Sequence, residues 1–392
     1  MATTALCLLL AGVSDDGVPS REAPFGISEI FPNEDNFCVL EVELSDPRGR
    51  APVRVCRFLL DTGSEIVAVD SSVPSDYFWK DEGFLNLKDA SGQSMAGRAI
   101  LLKRLGVGPV SAEALPAIRL ELRHGPGSLQ DEPVDGILGM PFLAGKRFIL
   151  DVPNRRIVWW GTFPEKAMRL PFSDVPSPSP HVRLKAGIVD MPALVDTGCM
   201  GGFHLPPEAC PGKEMGLTGS IDMAGGMSFS RTGTLDQAYL GSLCWRDLAI
   251  DCDAEPGRPM LGMDLWSTGP VGFDFIRKCL WFPGDSPGDM PISRSNQRSI
   301  PIAWNRRGAV PFLKVIAVKP GSDMERAGCR VGDVLEAVGD LRGSRLNRRN
   351  IMALVGAGKA HAWVVKREGR LVRLVYPGKA EADSRAGVGG AP

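Results

Sequence analysis

Short apolar runs, most of them alternating with polar residues, follow one another along the chain and are cut apart by turns rich in Gly, Pro and Asp. Phe37 to Leu44 alternates as a half-buried strand does, Asp46 to Arg50 turns the chain, and Val53 to Leu60 returns as a second strand. That strand runs into Asp61-Thr62-Gly63-Ser64, after which the chain is apolar again from Ile66 to Val69. Asp89 to Gly92 interrupts a polar hairpin, and Ala99 to Leu105 and Ile118 to Leu122 read as strands. Val134 to Leu143 reads as a strand, Gly139 and a short helix. Phe148 to Asp151 and Ile157 to Trp160, joined by a turn at Pro153 to Arg156, close the series as a hairpin. The pattern predicts mainly β structure.

The same series then starts again. His181 to Ile188 and Ala193 to Val195 lead into Asp196-Thr197-Gly198-Cys199. Asp222 to Gly225 answers Asp89 to Gly92, and Leu240-Gly241 answers Leu105-Gly106. Leu261-Gly262-Met263 answers Leu138-Gly139-Met140, and Asp274 with Leu280-Trp281-Phe282 answers Asp151 with Ile157-Val158-Trp159. One order, with a single loop shortened, predicts a duplicated all-β lobe. A Pro- and Ser-rich stretch from Leu170 to Pro180 reads as the join, and a second such stretch runs from Pro283 to Ser299. A third unit begins near Ile300. It holds a strand at Phe312 to Val318, a turn and short helix from Pro320 closed by Gly328, and a tight turn into a strand at Val331 to Leu335. Asn347 to Val355 has amphipathic helical spacing, and Ala362 to Lys366 and Leu371 to Val375 flank a hairpin turn. The expected organisation is an N-terminal segment at 1–27, a lobe at 28–165, a linker at 166–180, a second lobe at 181–284, a linker at 285–299, a small α+β domain at 300–378 and a disordered tail at 379–392.

A carboxylate directly after an apolar strand sits where the core ends and is partly desolvated. Thr beside it bonds backbone groups, and Gly permits a sharp turn or a close backbone approach. A single Asp-Thr-Gly is in most chains an ordinary Asx turn. Two in one duplicated frame can bring Asp61 and Asp196 together, where like charges resist ionising jointly and one proton is shared. Such a pair activates water as acid and base.

Composition narrows the alternatives. The formal net charge of −1 offers no footprint for nucleic acid or an anionic membrane surface. The four histidines show no metal-ligand spacing, and the nine cysteines form no CxxC pairs, so no metal site or cofactor is expected and most cysteines read as small buried apolar residues. His204, just after the second turn, reads first as a surface or core histidine and second as a group near the site. No apolar run reaches bilayer-spanning length. Ala5 to Val13 has the length of a signal-peptide core but lacks preceding Lys or Arg, so export to the periplasm and a cytoplasmic location both stand, with a lean to export.

The Asp-Thr-Gly-Ser turn with a later Ile-Leu-Gly, repeated as Asp-Thr-Gly-Cys and Met-Leu-Gly, resembles the aspartic proteases, in lobes of retropepsin size joined in one chain as in the pepsin type. The stretch PGSDMERAGCRVGDVL resembles PDZ domains of the bacterial kind. The resemblance implies two β-barrel lobes and a small α+β PDZ domain, with Asp61 and Asp196 as a catalytic dyad. Thr62, Gly63, Ser64, Thr197, Gly198 and Cys199 would support the turns, with the Ser64 hydroxyl donating to Asp61. The hairpins around Ser91-Gly92 and Ala224-Gly225 would be flaps, although neither carries the Tyr expected of pepsins. In the PDZ domain Val310, Phe312, Leu313, Ile351 and Leu354 would receive a peptide, although Pro311 lacks an N–H in the candidate carboxylate loop. The implied activity is that of an aspartic endopeptidase acting on extended peptide or protein substrates without metal. The partners implied are a peptide substrate and a PDZ ligand, with a monomer expected and a dimer as the alternative. The competing function is a non-catalytic peptide-gripping scaffold, in which Cys199 marks relaxed catalysis.

Overall fold

A computed structural model describes residues 26–31, 37–88, 94–122, 134–160, 167–209, 214–221, 227–252, 259–283, 302–306, 313–318, 323–346, 350–351, 354 and 361–376. Residues 1–25 of the N-terminal segment, the second linker and the tail of the sequence reading lie outside these residues, and the last two residues of that segment, Gly26 and Ile27, open the first strand. The described chain is mainly β.

Ten strands form the first copy: β1 (Gly26–Phe31), β2 (Val39–Ser45), β3 (Arg54–Leu60), β4 (Ala68–Asp70), β5 (Phe78–Lys88), β6 (Ser94–Val107), β7 (Val110–Leu120), β8 (Gly136–Leu138), β9 (Arg147–Asp151) and β10 (Arg156–Trp159). A short helix, Met140–Leu143, follows β8. The next ten are β11 (Met168–Pro171), β12 (His181–Ala186), β13 (Val189–Val195), β14 (Phe203–Leu205), β15 (Glu214–Ile221), β16 (Met227–Leu240), β17 (Leu243–Cys252), β18 (Met260–Leu261), β19 (Val271–Asp274) and β20 (Cys279–Phe282). A 3-10 turn at Met263–Leu265 stands where the first copy has its helix.

Hydrogen bonding follows one plan twice. The first set runs β2-β3-β8-β4-β7-β6-β5 and closes through β2–β6, and the second runs β12-β13-β18-β14-β17-β16-β15 and closes through β12–β16. Closure turns each set into a barrel and leaves β5 and β15 as the terminal strands. Inward positions carry the apolar residues of each alternating strand, as in β2, where Val42 and Leu44 are buried and Glu41 and Glu43 exposed.

The remaining strands join the copies in the order β11-β20-β19-β9-β10-β1. β9 and β19, equivalent strands of the two copies, pair antiparallel with each other: Leu150 faces Val271, Ile149 faces Gly272 and Phe148 faces Phe273. Under the repeat, Phe148 corresponds to Val271 and Leu150 to Phe273. The two outer pairings therefore exchange about a local two-fold at Ile149–Gly272. Phe148 and Phe273 stack at 5.0 Å between centroids, both fully buried, next to buried Trp159 and Trp266.

β1 and β11 were not apparent as strands in the sequence, and β11 lies inside the stretch read as linker. It pairs with β20, and its Leu170 is buried. Only its alternate side chains face the core, and its Pro171 ends the strand, so composition masked it. The Pro/Ser segment beyond it is also anchored, since the Ser179 hydroxyl donates to the Gly63 carbonyl at 3.1 Å.

The last strands, β21 (Ile302–Arg306), β22 (Leu313–Val318), β23 (Val334–Val338), β24 (His361–Arg367) and β25 (Arg370–Tyr376), form a separate five-stranded sheet in chain order. A helix at Asp323–Arg326 precedes Gly328, whose φ of +87° suits a left-handed helix end. Glu368 and Gly369, both at positive φ, make the two-residue turn joining β24 and β25. Leu313 and Ile351, candidates for peptide contact, instead belong to the buried core with Trp363, and Leu354 packs against it; Val310 and Phe312 lie outside the described residues. Arg367 grips Asp333 through two bonds of 2.7 Å.

Candidate active site

Each Asp-Thr-Gly turn leaves a buried strand and is held from below by the later Leu-Gly. Asp61 N–H donates to Leu138 O at 3.2 Å, and Asp196 N–H to Leu261 O at 3.0 Å. A Cβ on Gly139 would sit 1.9 Å from Ile66 O, and one on Gly262 would sit 2.6 Å from Gly201 O, so only Gly lets that strand pass beneath its turn.

The two turns meet. The Thr62 hydroxyl donates to Val195 O at 2.7 Å, and the Thr197 hydroxyl to Leu60 O at 2.8 Å. Each hydroxyl also accepts the other threonine's N–H at 3.1 Å. Both threonines are fully buried. Four buried bonds thus cross the junction, and losing a partner would strand a polar group. Above them, a Cβ on Gly63 would lie 2.4 Å from Asp196 Cγ, and one on Gly198 would lie 2.4 Å from Asp61 Cγ. Each glycine leaves room for the opposite carboxyl.

Asp61 and Asp196 are hydrogen-bonded to each other. Burial, then the neighbouring Asp196 charge, pushes the Asp61 carboxyl well above the ordinary range. Burial also raises Asp196, opposed by the Gly198 N–H at 2.7 Å and by the bond from Asp61. A pair so placed resists joint ionisation and shares one proton between its two carboxyls. The Ser64 hydroxyl does not serve Asp61, because it donates to Ile66 O at 3.0 Å; the Ser64 backbone N–H makes the bond to Asp61 Oδ1 at 2.9 Å. Cys199 donates its thiol to Met200 O at 3.2 Å.

Residues 42–142 match the aspartyl protease family. The match begins within β2, contains Asp61-Thr62-Gly63-Ser64, and ends in the helix after β8. No curated protein matches the chain. The matched segment covers the first turn and the strand beneath it; Asp196 and its surroundings lie beyond it.

The candidate flap tips, at 89–93 and 222–226, lie outside the described residues, while their arms are the hairpins β5–β6 and β15–β16. Beneath the first hairpin, Leu85, Leu87 and Met95 pack on Ile118, Leu120 and Ile137. A cavity of about 300 Å³ beside this hairpin, lined by Phe84, Gly97, Arg98 and Arg119, includes neither carboxyl. Among the described residues no cluster of His, Cys, Asp or Glu is arranged to hold a metal ion, and no helix is long and apolar enough to cross a membrane. Cys252 is disulfide-bonded, which cysteine spacing did not indicate, whereas Cys38, Cys56, Cys244, Cys279 and Cys329 are buried thiols.

The sequence undervalued His204. It stands on β14, 3.4 Å from Cys199 Sγ through Nε2 and 3.8 Å from Asp251 Oδ2 through Nδ1. Its position directly after the second turn was the available signal.

Proposed function

We propose that this chain is a single-chain aspartic-type endopeptidase whose two carboxyls, Asp61 and Asp196, activate one water between them. One carboxylate takes a proton from the water as it attacks the peptide carbonyl. The protonated partner stabilises the developing oxyanion and then passes a proton to the leaving amine. The observation that carries this reading is the mutual approach of two raised-pKa carboxyls, each lodged against the other turn's glycine. On this reading residues 28–165 and 181–284 are two homologous lobes. The substrate is an extended peptide lying under the β5–β6 and β15–β16 hairpins, paired as an added strand. Residues 300–378 form a PDZ domain that captures a second peptide segment, a role that rests on the resemblance and on the separate core of β21–β25.

The test is hydrolysis of a mixed peptide library by the full chain from acid to neutral pH. Wild type should cleave internal bonds, and Asp61→Asn and Asp196→Asn should each lower kcat by about three orders of magnitude or more. Cleavage undiminished in both variants would refute the dyad. A folded wild-type chain that binds peptides yet cleaves none would favour the scaffold reading.

A further inference from the structure

The segment joining the copies has the Pro and Ser content of a passive linker, yet it is bonded to the first turn and to the strand that enters the second. Pro180 O accepts the Val195 N–H at 2.8 Å, and one residue earlier the Ser179 hydroxyl donates to Gly63 O at 3.1 Å. Ser179 is only 4% exposed, so its hydroxyl has little water to turn to instead. Its own backbone is held in place. The Ser179 N–H donates to Ser177 Oγ at 3.2 Å, and the Ser177 hydroxyl donates in turn to Glu65 Oε1 at 3.0 Å.

The carbonyl that Ser179 holds belongs to the peptide unit between Gly63 and Ser64. The N–H of that same unit donates to Asp61 Oδ1 at 2.9 Å. Hydroxyl, peptide and carboxyl thus form one chain of hydrogen bonds. Accepting a bond at its oxygen makes a peptide a stronger donor at its N–H. Gly63 also leaves this unit easy to rotate, because a residue without Cβ restrains the backbone least. The bond at the carbonyl therefore fixes the plane of the unit and strengthens its grip on Asp61.

The lead-in to the first copy offers no equivalent. Cys38 O accepts the Leu60 N–H at 2.8 Å, as Pro180 O accepts that of Val195, which matches Phe37 to Ser179. Phe37 has no hydroxyl and is buried in an apolar group with Val39, Leu59 and Val134, on which Met200, just past the second turn, packs. The two lead-ins differ in chemistry: a donor stands beside the first turn and an apolar group beside the second.

We propose that Ser179 is a positioning residue for the dyad: its hydroxyl, acting through the Gly63–Ser64 peptide, sets the N–H that holds the Asp61 carboxyl in place. The consequence for catalysis rests on the dyad reading, whereas the relay from hydroxyl to carboxyl does not.

Two measurements on the full chain keep these apart. The first follows the Ser64 amide proton by NMR after labelling serine with nitrogen-15, its signal assigned by loss in Ser64→Ala. A weaker hydrogen bond moves an amide proton upfield. Ser179→Ala should therefore shift the Ser64 proton upfield, and Ser179→Thr, which keeps the hydroxyl, should leave it near the wild-type position. An unmoved Ser64 proton in folded Ser179→Ala would overturn the proposal whether or not the chain hydrolyses peptides. The second is steady-state hydrolysis. Ser179→Ala should lower kcat about fivefold with KM little changed, the factor that one neutral hydrogen bond carries, and Ser179→Thr should restore it. A folded Ser179→Ala with wild-type kcat, or changed in KM alone, would reduce Ser179 to a tether and defeat the proposal. Should the Ala variant not fold, Ser179→Cys, a weaker donor of similar size, should give smaller changes in the same directions, and their absence would count equally against the relay. A wild type without hydrolysis would defeat the protease reading and leave the Ser64 proton to decide the relay.

Discussion

Asp61 and Asp196 are the residues where structure and thermodynamics pull against each other. A folded-state pKa above the unfolded value means that the native protein prefers the protonated carboxyl. The resulting stability is complete below the unfolded carboxylate pKa of about 4 and is lost as pH rises through the raised folded value. Burial raises both carboxyls, and at Asp61 the neighbouring Asp196 charge adds to it. Asp61→Asn keeps the shape and removes the charge problem. Urea unfolding should therefore show the variant more stable than wild type at pH 7, with the gap closing below about pH 4. A gap that widens on acidification would contradict the raised pKa. This stability gain would accompany loss of hydrolysis, as expected where a site stores unfavourable charge.

Among the elements, the strands that alternate cleanly were legible in the sequence, and those with other duties were not. β2 and β3 show the period of two, and the Arg367 to Arg370 turn shows its hairpin chemistry. β11 hides in a Pro/Ser stretch because only part of its short length faces the core. The Asp-Thr-Gly turns were visible as a repeat, whereas their crossing through Thr62 and Thr197 leaves no local mark and was expected from the family resemblance alone. His204 was weighed as a lone histidine because its partner, Asp251, reaches it only through the β14–β17 pairing. The β9–β19 pairing is likewise invisible locally, yet the relation of the two turns hangs on it. Phe273 is fully buried there, stacked on Phe148 and edge-on to Trp266. Phe273→Ala should cost about 3–5 kcal/mol, measured as a lower urea midpoint. Since the cavity lies at the junction and not within a barrel, kcat should fall along with stability even where the variant is still folded. An equally stable Phe273→Ala would show that the junction contributes little.

At the scale of the molecule, duplication within one chain decides what the active unit is. A homodimer of half-size chains would build the same local two-fold between molecules, and its site would come apart on dilution. Here the crossing threonine bonds, the glycine–carboxyl contacts and the β9–β19 pairing all join one copy to the other within a single chain. The covalent link through the Pro/Ser segment, itself tied to the first turn at Gly63, keeps the effective concentration of the second copy high. The rate of peptide hydrolysis per mole of chain should therefore stay constant over about a thousandfold dilution, with a particle mass near that of one chain in light scattering. Specific activity that declines with dilution while the chain stays folded would mean that the working site is assembled between chains.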